Sequence, residues 1–344
     1  MHLNYAKILS LIVPSFNSSA YLRKNLDSLI IEGEDVEIIV VDDGSSDETL
    51  AIATEYEVKY PGVIKAISQP NKGHGGAINT GLSIARGLYI KIVDSDDWLN
   101  TNGLKKIVER LKNLTEKPDM LLNNFIIDKV GKKRKTIIHY RKSLPADMTL
   151  TWDDTMRLKL GRYIMMHAVI YKKEVLIKSR LVLPEHTFYV DYIYVYQPFP
   201  YVESIYYMDI DLYHYFIGRE DQTVTEQNHI KNIHHQIAVN KQMMNILNEN
   251  WNGNKIKSHR LRNYMVSYLT ICTVITSALF LVEGSKSSLD QKTELWHYLK
   301  QENAQIYQKV RFGYLGIMIN LPTKSGRSLS LFIYKLSRKI IGFS

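Results

Sequence analysis

Three carboxylates fall within four residues at Asp94-Ser95-Asp96-Asp97, directly after the apolar run Leu88–Val93. Like charges this close repel one another, so a folded protein tolerates them when a compensating cation lies nearby. Carboxylate oxygens are the hard ligands that Mg²⁺ and Mn²⁺ prefer, and both ions also take oxygens from substrate phosphates. The motif therefore predicts a divalent metal site. The alternative is a solvated acidic turn before the next helix.

Two further motifs also follow predicted strands. Asp42-Asp43-Gly44 comes after the run Val36–Val41. An aspartate there can accept hydrogen bonds from a base or ribose, and glycine lets the backbone turn sharply. Asn71-Lys72-Gly73-His74-Gly75-Gly76 leads into a helix, and its N–H groups, with Lys72 and His74, can meet anionic oxygens. Taken alone, each motif is also typical of an ordinary strand-to-helix turn.

The segments around these motifs alternate between two hydrophobic patterns, one typical of strands and one typical of helices. Short apolar runs predict strands, and the segments between them predict helices. The strands are Ile8–Val13, Val36–Val41, Val63–Ser68 and Leu88–Val93, and the helices are Ala20–Ile31, Asp47–Tyr60 and Gly76–Arg86. This alternation indicates βαβ units and a mainly parallel sheet, in which ligands bind beyond the carboxyl ends of the strands.

The pattern changes after Asp119. The next predicted strands are Met120–Asp128, Thr136–Tyr140, Ile164–Tyr171, Val202–Tyr207 and Asp211–Ile217, and the predicted helices are 226–250, 257–282, 287–310 and 326–341. We therefore expect an α/β class with two parts. A Rossmann-like domain with a mainly parallel sheet spans 1–225, and a helical region spans 226–344.

The composition and charge of the chain exclude several classes of protein. With 344 residues, 45% hydrophobic and 23% charged, the chain is typical of a globular protein and not of a disordered one. The single cysteine, Cys272, excludes an intramolecular disulfide and a thiolate metal cluster, and favours a reducing compartment. The apolar run Ile8–Val13 is too short for a signal peptide, so we expect a cytoplasmic location. The net charge of +9 fits nucleic acid, an anionic membrane or an anionic substrate. No nucleic-acid-binding motif is evident, so no nucleic acid partner is expected.

Taken in order, four motifs resemble the family 2 glycosyltransferases of GT-A fold. They are Val13-Pro14-Ser15-Phe16-Asn17, Val40–Asp47, Asn71-Lys72-Gly73 and Asp94–Asp97. The resemblance is close over about the first 100 residues and looser to about residue 225. It implies transfer of a sugar from a nucleotide-diphosphate donor to an acceptor hydroxyl with inversion, using Mn²⁺ or Mg²⁺ held through a D-x-D motif.

The resemblance also implies roles for individual residues. The expected donor contacts are Pro14 and Asn17 at the edge of the nucleotide pocket, Asp42 or Asp43 at the base, and Lys72 at the diphosphate. Asp94 is expected in the ribose or metal region, and Asp96 at the metal.

Inversion needs one general base, which takes the proton of the acceptor hydroxyl. Members of the family place an Asp or Glu for this purpose in the second half of the domain, often in an acidic pair. The matching stretch here is His186-Thr187-Phe188-Tyr189-Val190-Asp191, in which Val190 replaces the first carboxylate of the pair. Asp191 is therefore the expected base. The alternative is that Asp191 caps a helix.

Gly218-Arg219-Glu220-Asp221-Gln222 follows a predicted strand. Arg219 is expected to clamp the donor phosphates from a mobile loop, and an exposed turn is the alternative. The remaining expected acceptor or loop contacts are His167, His186, Asp221 and Gln222. For both histidines, a packed ring is the alternative.

Departures from the family pattern limit the interpretation. The chain has no Q-x-x-R-W motif and no convincing multi-span region, which argues against a processive synthase. The loop after Gly73 lacks the arginine of many members, so Lys72 or Arg219 must contact the phosphates.

Two alternatives stay open: an inactive membrane-surface assembly protein that keeps the fold, and a sugar-phosphate nucleotidyltransferase. The second would need a basic glycine-rich loop where Pro14-Ser15-Phe16-Asn17 stands.

The C-terminal region carries two membrane-related signals. Asn263–Val282 is uncharged over 20 residues, but its Ser and Thr content favours a buried or oligomer-interface helix over a membrane span. Lys324–Ser344 has five cations, no carboxylate and apolar residues at spacings of three or four. This pattern predicts an interfacial helix on an anionic inner leaflet, with a docked helix as the alternative. The expected partners are a nucleotide-sugar donor, a glycan or lipid-linked acceptor, an anionic membrane surface and a second copy held through the C-terminal helices.

Overall fold

The computed structural model describes residues 7–132, 134–155, 163–218 and 230–341. These residues form two compact units. The first contains those between 7 and 155 and between 164 and 217, and the second consists mainly of 230–341. The predicted domain boundary at residues 225 and 226 lies outside the described residues.

The first unit alternates strands and helices. Its strands are β1 (Lys7–Ser15), β2 (Val36–Asp42), β3 (Ile64–Ser68), β4 (Gly87–Ile92), β5 (Trp98–Leu99), β6 (Met120–Lys129), β7 (Thr136–Ile138), β8 (Thr149–Leu150), β9 (Val169–Lys172) and β10 (Ile205–Ile217). Its helices are α1 (Ser19–Leu29), α2 (Thr49–Lys59), α3 (Gly73–Ile84), α4 (Thr101–Asn113), α5 (Lys173–Lys178) and α6 (Asp191–Tyr196).

Within the described ranges these strands form one ten-stranded sheet. The main order is β3-β2-β1-β4-β9-β6-β10-β5, with β7 beside β6 and β8 beside β10. β3, β2, β1 and β4 are all parallel, as are β6 and β10, whereas β9 is antiparallel to both of its neighbours. The predicted α/β class with a parallel central sheet followed by helices is confirmed.

The register of β1 explains how the acidic motifs meet. Ser15 lies opposite Asp42 on one side of β1, and Ile12 lies opposite Ile92 on the other. The carboxyl ends of β2 and β4 therefore flank the end of β1. The central strands are almost entirely apolar because both faces of the sheet are covered. Each fully buried aliphatic side chain contributes roughly 1.5–3 kcal/mol to folding.

One predicted strand is shorter in the structure. The segment predicted as Ile164–Tyr171 is a strand only in β9, and a 3₁₀ turn at Met166–Ala168 comes before it. That turn takes His167 out of the sheet ladder.

The strands predicted at Val202–Tyr207 and Asp211–Ile217 are one strand, β10, with an irregular register between Tyr207 and Tyr213. Asn124 Nδ2 donates to Asp209 at 2.7 Å and to Asp211 at 2.9 Å. The extra residues therefore form a bulge that is held to β6, and they do not end the strand.

The second unit is helical over its described residues. It contains α7 (Ile233–Asn252), α8 (His259–Glu283), α9 (Lys286–Glu302), α10 (Ala304–Arg311), α11 (Tyr314–Ile319) and α12 (Thr323–Ile341). The helix predicted at 287–310 is two helices, because the side chain of Asn303 accepts from the N–H groups of Gln305 and Ile306 and begins α10. Among the described helices, α8 is long and apolar enough to cross a membrane, but 67% of its most apolar window is buried, as in a core helix.

Candidate functional site

The acidic turn after β4 is held by side chains from distant elements. Asn25 Nδ2 on α1 donates to the carbonyl oxygens of Asp94 at 3.0 Å and Asp97 at 2.9 Å. The carboxylate of Asp97 accepts from the Tyr213 hydroxyl at 2.7 Å and from the Phe216 N–H at 2.8 Å. Asp97 therefore anchors the turn to β10.

Charge at this turn is unevenly distributed. Burial, together with the carboxylates of Asp96 and Asp94, raises the pKa of Asp97 well above its usual range. Burial is the largest single influence on Asp94 and opposes its ionisation, but the hydrogen bond with His74 Nε2 at 2.9 Å and the charges of His74 and Lys91 together lower the pKa of Asp94. The same contact raises the pKa of His74, against the effect of its burial. His74 and Asp94 thus form a charge-assisted pair.

The donor set at this turn fits a divalent cation. Asp94, Asp97 and His167 each offer one ligand atom, and these atoms lie within 4.8 Å of one another. His167 Nδ1 is buried without a hydrogen-bond partner, and burial lowers the pKa of this ring to about 4, which keeps it neutral. Asp96, the predicted metal ligand, is half-buried in the same turn. The crowded carboxylates would be compensated by Mg²⁺ or Mn²⁺, for which oxygen ligands are suited.

His167 lies under the turn, in an aromatic pocket. Its ring centroid is 4.2 Å from that of Tyr215, 4.8 Å from that of Tyr213 and 5.5 Å from that of Phe125. Only 4% of the residue is exposed. The structure therefore places His167 as a packed ring beside the carboxylates, and the contact with an acceptor that the sequence predicted stays a prediction.

The two aspartates after β2 have different surroundings. Asp43 Oδ1 accepts from Gln69 Nε2 at 2.7 Å and from the Lys72 N–H at 2.8 Å, so this carboxylate holds the segment after β3. Asp42 is equally buried, but its Oδ1 has no hydrogen-bond partner. A buried oxygen of this kind is costly unless a ligand satisfies it. Of the pair, Asp42 is the one available to a nucleotide base.

Pro14 and Asn17 lie at the end of β1 and just beyond it. Pro14 is buried and pairs with Val41. Asn17 is exposed in the left-handed region with φ 49°, and its Oδ1 accepts from the Ser46 N–H at 2.9 Å. Asn17 therefore shapes the loop after β2, and a direct contact between its amide and a nucleotide stays a prediction.

The glycine-rich motif forms the first turn of α3 and packs against a second loop. A Cβ on Gly75 would lie 2.3 Å from the Pro184 carbonyl oxygen, and one on Gly73, where φ is +74°, would lie 2.9 Å from the backbone of His186. The His186 N–H donates to the Lys72 carbonyl at 2.8 Å. Gly73 and Gly75 therefore allow the loop around Pro184 and His186 to pack closely, in addition to any contact with phosphate.

Lys72 and His186 have specific positions at this contact. Lys72 Nζ lies 3.7 Å from Glu185 Oε1, and both side chains are about half exposed. His186 has a left-handed backbone with φ 48°. Both residues therefore stand at the surface where α3 meets the loop before α6.

Asp191 is the first residue of α6 and is half-buried. Burial raises the pKa of its carboxyl to about 6, with the charge of His74 opposing that shift and the charge of Asp94 adding to it. Asp191 therefore belongs to the same electrostatic cluster as the acidic turn. The helix starts here, but its N-cap is Val190 and no side-chain cap hydrogen bond is made, so the capping alternative is wrong. The raised pKa suits a proton acceptor near neutral pH.

One buried cation was not predicted from the sequence. Lys91 on β4 is fully buried, and its Nζ donates to the His167 carbonyl at 2.9 Å and lies 3.4 Å from the Val169 carbonyl. Burial lowers its pKa to about 7. The only sequence signal was a lysine inside an apolar strand. The predicted residues Arg219, Asp221 and Gln222 lie outside the described residues.

Comparison with known families agrees with the geometry. Residues 10–172 match the model described as "Glycosyl transferase family 2". The protein "Putative glycosyltransferase EpsH" of Bacillus subtilis (strain 168) is 27% identical over 278 residues, which cover 76% of this chain and 75% of that protein. The "Chondroitin synthase" of Escherichia coli is 34% identical over 125 residues, covering 36% of this chain and 18% of that protein.

A solved structure shares the fold. The structure described as "S. aureus TarS 1-349 in complex with UDP-GlcNAc" superposes with a TM-score of 0.53 at 20% identity, covering 89% of this chain and 91% of that one. The first unit therefore has the predicted GT-A fold. The family match favours a glycosyltransferase over the alternative of a sugar-phosphate nucleotidyltransferase.

Proposed function

Because this chain carries a family 2 glycosyltransferase domain and is a glycosyltransferase, we propose that it moves one sugar from a nucleoside-diphosphate donor to an acceptor hydroxyl with inversion. A UDP-sugar is the favoured donor. The observation that carries the proposal is the meeting of three groups at one sheet edge: the acidic turn at 94–97, the unsatisfied carboxylate of Asp42, and Asp191 with its raised pKa.

The donor would bind along the ends of β1, β2 and β4. Asp42 Oδ1 would accept a hydrogen bond from the base, and uracil offers an imide N–H suited to it. The ribose and diphosphate would then lie toward Asp94 and Asp96. Lys72 and the ring of His74, whose pKa is raised beside Asp94, would supply positive charge on the α3 side. The UDP-GlcNAc complex of the structurally similar S. aureus TarS supports a uridine donor.

Asp94 and Asp96 would hold Mn²⁺ or Mg²⁺, with Asp97 and His167 within reach. When bound, the cation would stabilise the negative charge that develops on the leaving diphosphate. The hydroxyl of Tyr213 and the amide of Asn25 keep the turn in place for this purpose.

Asp191 would act as the general base. As the acceptor oxygen bonds to the anomeric carbon, the bond from that carbon to the diphosphate oxygen breaks. The acceptor proton passes to the Asp191 carboxylate. A pKa of about 6 leaves this group ionised at neutral pH while keeping it basic enough to accept the proton. Attack from the side opposite the diphosphate gives inversion.

The acceptor would be a growing glycan or a lipid-linked sugar in cell-surface polysaccharide synthesis. The similarity of 125 residues of this chain to a chondroitin synthase supports a sugar hydroxyl as the acceptor. The cytoplasm as the place of action stays a prediction from the sequence.

The test is UDP release by the full chain from a panel of UDP-sugars with Mn²⁺, run beside GDP- and CDP-sugars. We expect release from a UDP-sugar that stops in EDTA and in Asp96→Ala, while Asp290→Ala, an exposed site on α9, keeps wild-type release. Undiminished release in EDTA would contradict metal dependence. No release from any donor would favour the inactive assembly protein.

A further inference from the structure

The last two helices of the second unit leave an apolar surface uncovered. On α12, Leu329, Phe332 and Leu336 are 50%, 63% and 48% exposed. On α11, Tyr314 and Ile317 lie one turn apart and are also exposed. Exposed apolar patches of this kind mark a site of interaction.

The orientation of α12 separates this surface from its packed face. Ser330 is buried, and its hydroxyl donates to the Met318 carbonyl on α11 at 2.5 Å. Ile333 and Tyr334, on the same side as Ser330, are half-buried. At about 100° per residue, the exposed residues Leu329, Phe332 and Leu336 lie roughly 100–160° around the helix from Ser330, on a face of their own. The helix is therefore docked through one face, as the second alternative from the sequence requires, and its other face is uncovered.

The charge around this surface has one sign. From residue 303 to the end, the sequence contains seven Lys or Arg residues and no Asp or Glu. Lys324 and Lys335 are exposed on the outward side of α12, beside Leu329, Phe332 and Leu336. Lys309, on α10, is exposed as well.

We propose that the outward face of α12 lies on an anionic lipid bilayer, with the apolar side chains in the interface and the lysines against lipid headgroups. An interfacial helix combines an apolar face with flanking cations, and each cation adds attraction to anionic lipid. Self-association through this face is disfavoured, because two copies would oppose surfaces of the same positive sign. The membrane contact rests on no residue of the donor site. It deepens the proposed function by bringing a lipid-linked acceptor to the enzyme.

The test is flotation of the full chain with vesicles of phosphatidylcholine alone or of equal parts phosphatidylcholine and phosphatidylglycerol, without donor. We expect binding to the anionic vesicles only, falling as salt is raised. The triple variant Leu329→Ser, Phe332→Ser, Leu336→Ser should lose at least tenfold of that binding. The variant Lys324→Gln, Lys335→Gln should lose about threefold or more.

Matched controls carry the same changes elsewhere. Val58→Ser with Val182→Ser replaces exposed apolar residues of the first unit, and Lys286→Gln with Lys300→Gln replaces exposed lysines of α9. Both should bind as the wild type does. UDP release, measured without lipid, should be unchanged in every variant, so failure of the membrane contact is distinguished from failure of the proposed reaction.

Three results would overturn the proposal. The first is that the wild type binds neither vesicle, and the second is that the triple serine variant binds anionic vesicles as well as the wild type does. The third is that the lipid-free wild type sediments as a dimer that the triple variant dissociates, which would assign the face to a second copy.

Discussion

The strands β2 and β4 each end in an acidic motif, and within each motif the aspartates make different contacts. After β2, Asp43 is bound by Gln69 and Lys72, whereas Asp42 keeps a buried oxygen without a partner. After β4, Asp97 is bound by Tyr213 and Phe216, whereas Asp94 faces His74 at the edge of the site. At each strand end one carboxylate, Asp43 or Asp97, holds the backbone. The other differs, because Asp42 keeps an oxygen without a partner and Asp94 pairs with His74. Adjacent aspartates in one motif therefore need not share a role.

The largest expected effect lies at Asp191, which neither strand end holds. Asp191→Asn keeps the size of the side chain but cannot accept a proton, so sugar transfer should fall by about 10²–10⁴-fold. The affinity for UDP, measured by calorimetry, should stay within about twofold of wild type. Transfer within about tenfold of wild type would assign the base elsewhere.

Asp42 and Asp43, at the end of β2, give the sharpest test of whether adjacent aspartates have different roles. Asp42→Ala should weaken UDP binding about tenfold, which is about 1.4 kcal/mol, with no loss of thermal stability, because no protein donor is left unpaired. Asp43→Ala should instead lower the free energy of unfolding by about 1–3 kcal/mol, because the Lys72 N–H and the Gln69 amide lose their acceptor. UDP titration and urea unfolding measure the two effects. Equal behaviour of the two variants would refute the division.

The sequence predicts where β2 and β4 end, but it does not predict which aspartate of each motif holds the backbone. Asp42, Asp94 and Asp96 are recognisable because each follows an apolar run and parallel strands bring their carboxyl ends together. The anchoring of Asp97 depends on Tyr213, 116 residues further along the chain. No pattern among neighbouring residues can predict a contact between residues so far apart in the sequence.

The same limit applies to the glycine-rich motif and to β10. Gly73 and Gly75 are suited to binding an anion, yet they lie against Pro184 and His186, a contact that appears only when the loop before α6 folds back. In β10, the sequence predicted a break between Tyr207 and Asp211, whereas the strand is continuous and Asn124 on the neighbouring strand donates to both Asp209 and Asp211. Local propensity fails where a distant side chain supplies the partner.

A smaller effect is expected at the anchor of the β4 turn. Tyr213→Phe removes the hydroxyl that donates to Asp97 and accepts from the Asp94 N–H. Each lost hydrogen bond costs about 0.5–1.5 kcal/mol of unfolding free energy, with little change in packing because the ring stays. Urea unfolding measures the loss, with Tyr314→Phe on α11, at a tyrosine that is 75% exposed, as the control. An unchanged midpoint would mean that the turn does not need this anchor.

The smallest effect is the pH dependence of transfer near neutrality. The base must be ionised to accept a proton, and burial raises the pKa of Asp191 to about 6. Transfer should therefore be level above about pH 7, fall about twofold at pH 6, and lose about tenfold per unit below that. His74→Gln removes a positive charge that lowers this pKa, so the midpoint should move to higher pH, whereas Asp290→Asn should leave it in place. Initial rates at saturating donor between pH 5 and pH 8 measure the midpoint. A midpoint near 4 would mean that Asp191 is solvated as an ordinary aspartate, and that the carboxylates left by the two strand ends do not form one site with it.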